Sequence, residues 1–348
     1  MPVLPAAAPD ANALNSGALN VAIVGLGWWG QNMVRWLKGN AKLNMVSLVD
    51  VNPASAAFAR EMGVPFTTDL AAVLADRQVH AVVLATPHSL HCAQILAVAA
   101  AKKHVFCEKP LCMTKAEVDR AIAAVKAAGV TLAVGHERRF EPPMLELFRI
   151  AKSGELGTLL QIEGNFSQDK FLTINADNWR LTEKEAPAGP MTATGIHMLD
   201  LAVGLMGPAA RVHAAVKQLG SHLKNGDTLG VMVNFKSGAN AMITAILATP
   251  FYGRYTLFGS LGWAEVRDKE HPETPKGWTL TRNIRGQAPV TVDYPPANPV
   301  IANLEAFADA ARGGAPYPVP YEQMAANVAA LEAIFKSAAS GQIVEVAG

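Results

Sequence analysis

Short apolar runs alternate with amphipathic stretches along the first 135 residues of the chain. The apolar runs are rich in valine, isoleucine and leucine, which is typical of strands buried on both faces of a parallel sheet. They predict strands over 21–25, 45–50, 80–86, 104–108 and 131–135. The stretches between them predict helices over 31–38, 53–62, 90–101 and 115–128, with Ser89 and Thr114 as N-caps of the last two.

A different pattern begins near residue 150, where longer segments alternate apolar and polar positions. Strands are predicted over 158–168, 212–218, 231–235 and 240–247, and helices over 192–206, 300–312 and 322–339. The fold class is therefore α/β followed by α+β with a large, mostly antiparallel open sheet. We expect a flexible tail over 1–18, a first domain over 19–140 and a second domain over 141–348.

Composition narrows the classes of partner. The chain has 30 Lys and Arg against 29 Asp and Glu, so it lacks the basic field that nucleic acids or anionic membranes require. Three cysteines occur without the spacing of a disulfide framework, and no secretory or membrane segment is evident. We therefore expect a cytoplasmic protein that binds small molecules, with neither a nucleic acid nor a membrane as partner.

A glycine-rich motif links the first predicted strand to the first predicted helix. In GLGWWG, Gly25 permits a tight turn, Gly27 lets the backbone approach a diphosphate, and Gly30 allows close packing of helix on strand. The helix N-terminus offers free N–H groups and partial positive charge to phosphates. This spacing after a strand predicts a dinucleotide site.

Asp50 strengthens this interpretation, because it ends the second predicted strand twenty residues after Gly30. A carboxylate there accepts hydrogen bonds from the adenosine ribose diol and repels a 2′-phosphate, so NAD is favoured over NADP. Within the motif, Trp28 and Trp29 either cover the diphosphate or pack against the protein.

The segment Glu108-Lys109-Pro110 lies at the carboxyl end of a predicted strand, where ligands of parallel sheets bind. Pro110 restricts the backbone on both sides of the Lys109–Pro110 bond, so the lysine is held on a stiff turn. Its ammonium group could hold a substrate hydroxyl beside a nicotinamide.

Five segments in order resemble one family: GLGWWG, ATPHSLH, CEKPL, GHERRFEP and TGIHMLD. The chain resembles the glucose-fructose oxidoreductase, inositol dehydrogenase and rhizopine-catabolism family, abbreviated Gfo/Idh/MocA. The resemblance implies an NAD(P)-binding Rossmann domain over 19–140 and, over 141–348, an open-sheet α+β domain that supplies substrate residues and often the oligomer interface. We therefore expect a homodimer or homotetramer. It also implies hydride transfer between NAD(P) and a sugar, cyclitol or similar secondary alcohol.

The resemblance also implies roles for individual residues. Lys109 matches the family's active-site lysine and His197 its acid/base. Along the cofactor it places Thr86, Pro87, His91 and Glu108, and at the substrate it places Glu137, Arg180 and Thr194 together with Lys109 and His197.

One position departs from the family pattern, which usually has an aspartate four residues before the histidine. Ala193 stands there, so either the proton relay or the substrate differs. Arg138, Arg139 and Glu141 are interpreted as a solvated or interdomain charge cluster, with Arg139 as a candidate ligand for a substrate carboxylate. His88 and His91 lack a third ligand, so we expect no metal site.

The function expected from these observations is an NAD-dependent dehydrogenase of a sugar, cyclitol or related ring alcohol. Three alternatives stay open: a cyclic cis-dihydrodiol dehydrogenase of aromatic catabolism, an NAD-assisted glycosidase or lyase, and a non-catalytic sensor that binds NAD(P).

Overall fold

A computed structural model of the chain describes residues 17–175 and 177–348. The tail expected over 1–18 lies outside the described residues as far as residue 16. The described chain divides into two compact units. Unit 1 comprises the described part of Met1–Cys112, Ala116–Gly135 and Val300–Tyr321, and unit 2 comprises Met113–Lys115, His136–Pro299 and Glu322–Gly348.

Unit 1 is built on a parallel sheet. Its strands are β1 (Leu19–Val24), β2 (Leu43–Val49), β3 (Phe66–Thr67), β4 (Ala81–Leu84), β5 (His104–Cys107) and β6 (Leu132–Val134). The helices between them are α1 (Trp28–Leu37), α2 (Ala56–Met62), α3 (Leu70–Ala75), α4 (His91–Ala100) and α5 (Lys115–Ala128).

The strand order in this sheet is β3-β2-β1-β4-β5-β6, and every neighbouring pair is parallel. All four residues of β4 are buried, so the centre of the sheet is covered on both faces. The chain reverses its direction of travel across the sheet between β1 and β4. Ligands of doubly wound sheets bind at such a switch point, outside the carboxyl ends of the strands.

Unit 2 contains the remaining strands: β7 (Leu159–Ser167), β8 (Ala209–Lys217), β9 (Thr228–Phe235), β10 (Asn240–Ile246), β11 (Tyr252–Gly259), β12 (Gly262–Asp268), β13 (Trp278–Ile284), β14 (Val290–Tyr294) and β15 (Val344–Glu345). The remaining helices of the chain are α6 (Pro142–Ser153), α7 (Ile196–Met206), α8 (Pro299–Ala311) and α9 (Tyr321–Ser340).

The second sheet has the order β14-β13-β12-β11-β7-β10-β9-β8-β15. Its neighbouring pairs are antiparallel except β7 and β10, which run parallel. Helix α7 packs closely on this sheet at Gly164 of β7, where a Cβ would lie only 3.0 Å from Cβ of Met198 in α7. The expected fold class, a parallel α/β sheet followed by a mostly antiparallel α+β sheet, is confirmed.

Helix α8 belongs to unit 1, which differs from the expected domain of 141–348. Its apolar face, including Leu304 and Phe307, joins the core formed by β1, β4 and β5. Helix α8 and the segment after it both contact β6. The Asn303 amide of α8 donates to the Val134 carbonyl oxygen at 2.9 Å, and the Tyr317 hydroxyl donates to the same oxygen at 3.0 Å. Sequence order alone could not show this return of the chain.

Several elements differ locally from the expectation. Helix α1 begins at Trp28 rather than at 31, and α4 begins at His91 after a 3-10 turn over His88–Leu90. Ser89 therefore lies inside that turn and is not the N-cap. The sequence pattern did not predict β3, α3, α6 or β15. Strands β11 to β14 were not predicted either, because Pro and Gly are frequent between 250 and 300. Among the described helices, none combines the length and apolar character needed to cross a membrane.

Replacing Phe307 by alanine tests the assignment of α8 to unit 1. The ring is fully buried and meets Phe106 of β5 edge-on at 5.9 Å between centroids. We expect Phe307→Ala to lower the free energy of unfolding by about 3–5 kcal/mol in urea titrations, since a large cavity forms. The control Val51→Ala, at a side chain 91% exposed, should change it by less than about 0.5 kcal/mol. Equal effects of the two variants would contradict the assignment.

Candidate active site

The three glycines of the motif after β1 have different steric surroundings. Gly25 has φ of +94°, and a Cβ there would lie 2.6 Å from the carbonyl oxygen of Ala85. A Cβ at Gly30 would lie 1.8 Å from the carbonyl oxygen of Gly25. A Cβ at Gly27 would meet no atom within 4 Å. The fold therefore requires glycine at Gly25 and Gly30, whereas Gly27 leaves the N-terminus of α1 open to a ligand.

Asp50 is held against this loop at the end of β2. One carboxylate oxygen accepts a hydrogen bond from the Leu26 N–H at 2.6 Å, and the other accepts from the Asn52 N–H at 2.8 Å. The carboxylate thus braces the glycine turn from the neighbouring strand. Each oxygen keeps a further lone pair for a ribose hydroxyl.

The tryptophans of the motif lie in the first turn of α1. Trp29 packs between Trp28 and Trp36, with ring centroids 5.4 and 5.5 Å apart, and Trp28 remains 47% exposed. Trp29 therefore packs against the protein, which is one of the two alternatives expected from the sequence. That Trp28 covers a diphosphate stays a prediction.

The segment after β4 is joined to the lysine corner through His91. This ring is fully buried; Nε2 lies 3.0 Å from the Thr86 carbonyl oxygen and Nδ1 lies 2.8 Å from the Pro110 carbonyl oxygen. The Thr86 hydroxyl donates to the Gln94 side chain at 2.5 Å. Pro87 immediately precedes the 3-10 turn over His88–Leu90. His91 therefore fixes the backbone of this segment, and its direct contact with a cofactor stays a prediction.

Glu108 and Lys109 follow β5 at its carboxyl end. The Glu108 carboxylate is buried and accepts the Lys109 N–H at 3.2 Å. It occupies the space beside Gly135, where a Cβ would lie 2.5 Å from Oε2. The Lys109–Pro110 peptide bond is cis. Lys109 is thus mounted on a packed turn at the ligand-binding edge of the sheet.

A π-helical turn over Met191–Gly195 precedes α7 in unit 2. Such turns are rare and occur frequently at functional sites. Thr194 lies in this turn, and its buried hydroxyl donates to the Pro190 carbonyl oxygen at 3.3 Å. This bond gives Thr194 a structural role, and its contact with a substrate stays a prediction.

His197 lies in the first turn of α7 and is only 4% exposed. Its Nδ1 lies 3.6 Å from Oε1 of Glu137, in the 3-10 turn after β6. The His136 ring meets it edge-on at 6.3 Å between centroids, and the Phe166 ring of β7 lies at 5.9 Å. Two of the predicted residues, Glu137 and His197, are therefore brought together in unit 2.

Arg139 is not available as a ligand for a substrate carboxylate. Its Nε lies 2.5 Å from one oxygen of Asp200 and its Nη2 lies 2.9 Å from the other, and it also donates to Gln323. The guanidinium is buried, and a Cβ at Gly204 would lie 2.8 Å from its central carbon. The expectation that Arg139 binds a substrate carboxylate is wrong, because its guanidinium forms a buried bidentate ion pair with Asp200.

Arg138 and Glu141 are buried as well, so the solvated alternative for this charge cluster is wrong. Arg138 contacts both oxygens of Asp268, at 2.7 and 2.8 Å, and its Nε lies 3.0 Å from Oε1 of Glu141. Burial raises the pKa of Glu141 to about 8, although the Arg138 cation lowers it. The Trp278 indole N–H donates to Asp268 at 3.0 Å and links the cluster to β13.

Arg180 stacks on its neighbour Trp179, with the guanidinium carbon 4.1 Å from the ring centroid. Nearby polar groups were missed by the sequence analysis. His271 approaches the Gln168 side chain at 2.5 Å, and Lys170 forms an ion pair with Glu273. Burial lowers the pKa of Lys170, and the Arg180 cation lowers it further.

An aromatic row connects this group to His197. Phe166 lies 5.9 Å from His197 and 6.2 Å from His271, and Phe251 lies 5.3 Å from His271. Gln168 and Lys170 lie in the loop after β7. Loops often carry ligand-binding residues, so this position could have identified the two as candidates from the sequence.

The predicted residues thus form two sets, one in each unit. Unit 1 assembles the glycine loop, Asp50, the Thr86–His91 segment and the Glu108–Lys109 corner. Unit 2 assembles His197 with Glu137, while Arg180 lies with Lys170. Within residues 17–175 and 177–348, no group of three or more His, Cys, Asp or Glu is arranged to hold a metal ion.

Comparison with protein-family models identifies the chain. Residues 19–136 match the oxidoreductase family with an NAD-binding Rossmann fold, GFO_IDH_MocA, and residues 144–265 match the GFO/IDH/MocA C-terminal domain. The chain belongs to the GFO/IDH/MocA family of oxidoreductases. The resemblance found in the sequence is confirmed.

This GFO/IDH/MocA protein is similar in sequence to several proteins that are named as oxidoreductases or dehydrogenases. It is 33% identical to the uncharacterized oxidoreductase YrbE of Bacillus subtilis, over 60% of this chain and 61% of that protein. It is 28% identical to D-xylose 1-dehydrogenase (NADP(+)) 2 of Haloferax volcanii, over 84% of this chain and 88% of that protein. The match therefore spans about three fifths of the first relative and most of the second.

A solved structure shares the fold over nearly its whole length. Aldose-aldose oxidoreductase from Caulobacter crescentus, complexed with glycerol, superposes with a TM-score of 0.82 at 25% identity. The superposition covers 94% of this chain and 100% of that one.

The different surroundings of Gly27 and Gly30 make a direct test of the glycine loop. Gly27→Ala should leave unfolding unchanged and weaken NAD binding about tenfold or more, since only the approach of a ligand is obstructed. Gly30→Ala should instead lower the free energy of unfolding by about 1–3 kcal/mol, because its Cβ overlaps the Gly25 carbonyl. Calorimetric titration with NAD and thermal unfolding measure the two effects. Unchanged NAD affinity in Gly27→Ala would refute a ligand-binding role for this loop.

Proposed function

We propose that the protein is an NAD-dependent dehydrogenase that oxidises a secondary alcohol of a sugar, cyclitol or related ring. The observation that carries the proposal is the open N-terminus of α1 at Gly27, braced by Asp50 at the switch point of the sheet. Free N–H groups at such a position suit a diphosphate, so the residues present fit a dinucleotide. Gly25, Gly27 and Gly30 would hold its diphosphate, and Asp50 its adenosine ribose.

Asp50 supports NAD over NADP in this proposal. Both of its oxygens already accept backbone N–H groups, which fixes the position of the carboxylate at the end of β2. A fixed negative charge there repels a 2′-phosphate and accepts from a free 2′-hydroxyl. The Haloferax volcanii relative bears a name with NADP(+), so cofactor preference within the family must be measured for each chain.

The position of Lys109 supports the proposal that the protein is a dehydrogenase and not only a protein that binds NAD. When bound, NAD⁺ supplies a hydride acceptor at C4 of its nicotinamide. Lys109 lies at the carboxyl end of β5, the edge at which ligands of such sheets bind. Its ammonium group would orient the substrate oxygen and stabilise negative charge developing on it. His197 would accept the hydroxyl proton of the alcohol.

The substrate class rests on the relatives and on the polar groups of unit 2. A D-xylose dehydrogenase and an aldose-aldose oxidoreductase are among the similar proteins. Gln168, Lys170 and Arg180 would supply hydrogen bonds to a polyhydroxylated ring, and Phe166 and Phe251 an apolar face. We propose a small sugar or polyol as the partner and a homodimer or homotetramer as the assembly.

A panel of alcohols tests the activity. D-xylose, D-glucose, myo-inositol and a cyclic cis-diol are each incubated with NAD⁺ or NADP⁺, and NAD(P)H is read by absorbance. We expect turnover of a sugar or inositol, faster with NAD⁺. Turnover of the cis-diol alone would move the substrate class to aromatic catabolism. NAD binding without turnover, or release of a glycosidic leaving group without net NADH, would contradict the proposal.

Variants of the two proposed catalytic residues test the mechanism. Lys109→Ala should lower kcat by about 10²–10³-fold with NAD affinity unchanged, because a donor to the developing oxyanion is removed. His197→Ala should lower kcat by about 10²–10⁴-fold and reshape the pH profile. Lys224→Ala, at an exposed lysine, is the control and should retain full activity. Full activity in either active-site variant would assign its role to another residue.

A further inference from the structure

The turn that contains Glu137 brings a carboxylate to the side of His197. Oε1 of Glu137 lies 3.6 Å from Nδ1 of the imidazole, and the two side chains are 12% and 4% exposed. At this distance and burial, a carboxylate acts strongly on the protonation of a ring, since little solvent screens the charge. Position 193, one turn before His197 in the chain, carries only a methyl group.

We propose that Glu137 is the positioning residue of His197, which rests on the acid/base role proposed above. Its carboxylate keeps the proton of the neutral imidazole on Nδ1, and Nε2 is then the nitrogen that accepts the substrate proton. In that step the O–H bond of the alcohol breaks and an N–H bond forms at Nε2. The imidazolium that results lies beside the negative charge of Glu137.

The mounting of Glu137 supports this role. The next two residues are Arg138 and Arg139, which are both buried and both held by carboxylates, Asp268 and Asp200 respectively. These two ion pairs hold consecutive side chains of the 3-10 turn over Glu137–Phe140. The carboxylate of Glu137 is therefore presented from a rigid element, as a group that orients another side chain must be.

Other groups around His197 have interactions of their own. The His136 ring meets His197 edge-on, and its own Nε2 lies 3.6 Å from Oδ1 of Asp200. Asp200, one turn further along α7, is neutralised by Arg139. Phe166 faces His197 from β7, with the Arg138 guanidinium carbon 5.1 Å from the centre of the Phe166 ring.

Spectroscopy of the imidazole tests the proposal without a substrate. The protein is labelled with ¹⁵N-histidine, and long-range ¹H–¹⁵N spectra report which ring nitrogen carries the proton. His197→Gln assigns the signal among the nine histidines. We expect His197 to be protonated on Nδ1 in its neutral form. Glu137→Gln should lower its titration midpoint by about one pH unit or more, because the charge that favours the imidazolium is lost.

Matched variants separate charge from structure. Glu137→Asp keeps the charge, so the titration midpoint of His197 in this variant should lie close to that of the wild type. Glu146→Gln removes a half-buried carboxylate of α6 that pairs with Arg149, and it should leave the His197 signal unchanged. A His197 ring protonated on Nε2, or an equal midpoint in wild type and Glu137→Gln, would overturn the proposal.

Kinetics on the best alcohol of the panel give the second readout. Glu137→Gln should lower kcat about tenfold or more with KM changed less than threefold, and should move the acidic limb of the kcat profile to lower pH. A rise in KM with unchanged kcat would make Glu137 a substrate ligand instead. If no alcohol is turned over, the proposed function fails, while the spectra still decide the role of Glu137.

Discussion

The close approach of the turn after β1 to the end of β4 is the constraint on which unit 1 depends. The backbone of Gly25 lies against Ala85, and Gly30 lies against Gly25 itself, at distances that admit no side chain. Asp50 braces the same turn from β2. Three neighbouring strands are therefore locked together at one point, which is also the point where the strand order reverses. The N-terminus of α1 stays exposed at this point, at Gly27 and Trp28.

Unit 2 depends on buried charge. Two consecutive arginines, Arg138 and Arg139, turn to different carboxylates, and both pairs lie out of solvent. Buried ion pairs of this kind contribute little net stability, but removing one partner is costly because the other charge is left without compensation. Their consequence here is geometric: they hold a short turn in one conformation, and Glu137 at the start of that turn is set beside His197.

Local patterns predicted much of unit 1. The buried strands, the glycine loop and the Glu108–Lys109 corner are each encoded within a few consecutive residues, by apolar runs, by glycine spacing or by proline. Predictions that required knowledge of distant neighbours failed. Arg139 was interpreted as a ligand because its partner, Asp200, lies 61 positions away. Helix α8 was assigned to the second domain because only the tertiary fold shows its apolar face on the core of the first.

The sequence by itself determined the fold class, the family, and the loop and lysine corner of unit 1, because these follow from short-range rules of backbone conformation and burial. Only the tertiary structure decided which charges are internal and which side chains meet. The carboxylate beside the His197 ring and the aromatic row that leads to His271 join residues from separate elements. Such contacts depend on how elements pack, and no periodicity along the chain records them.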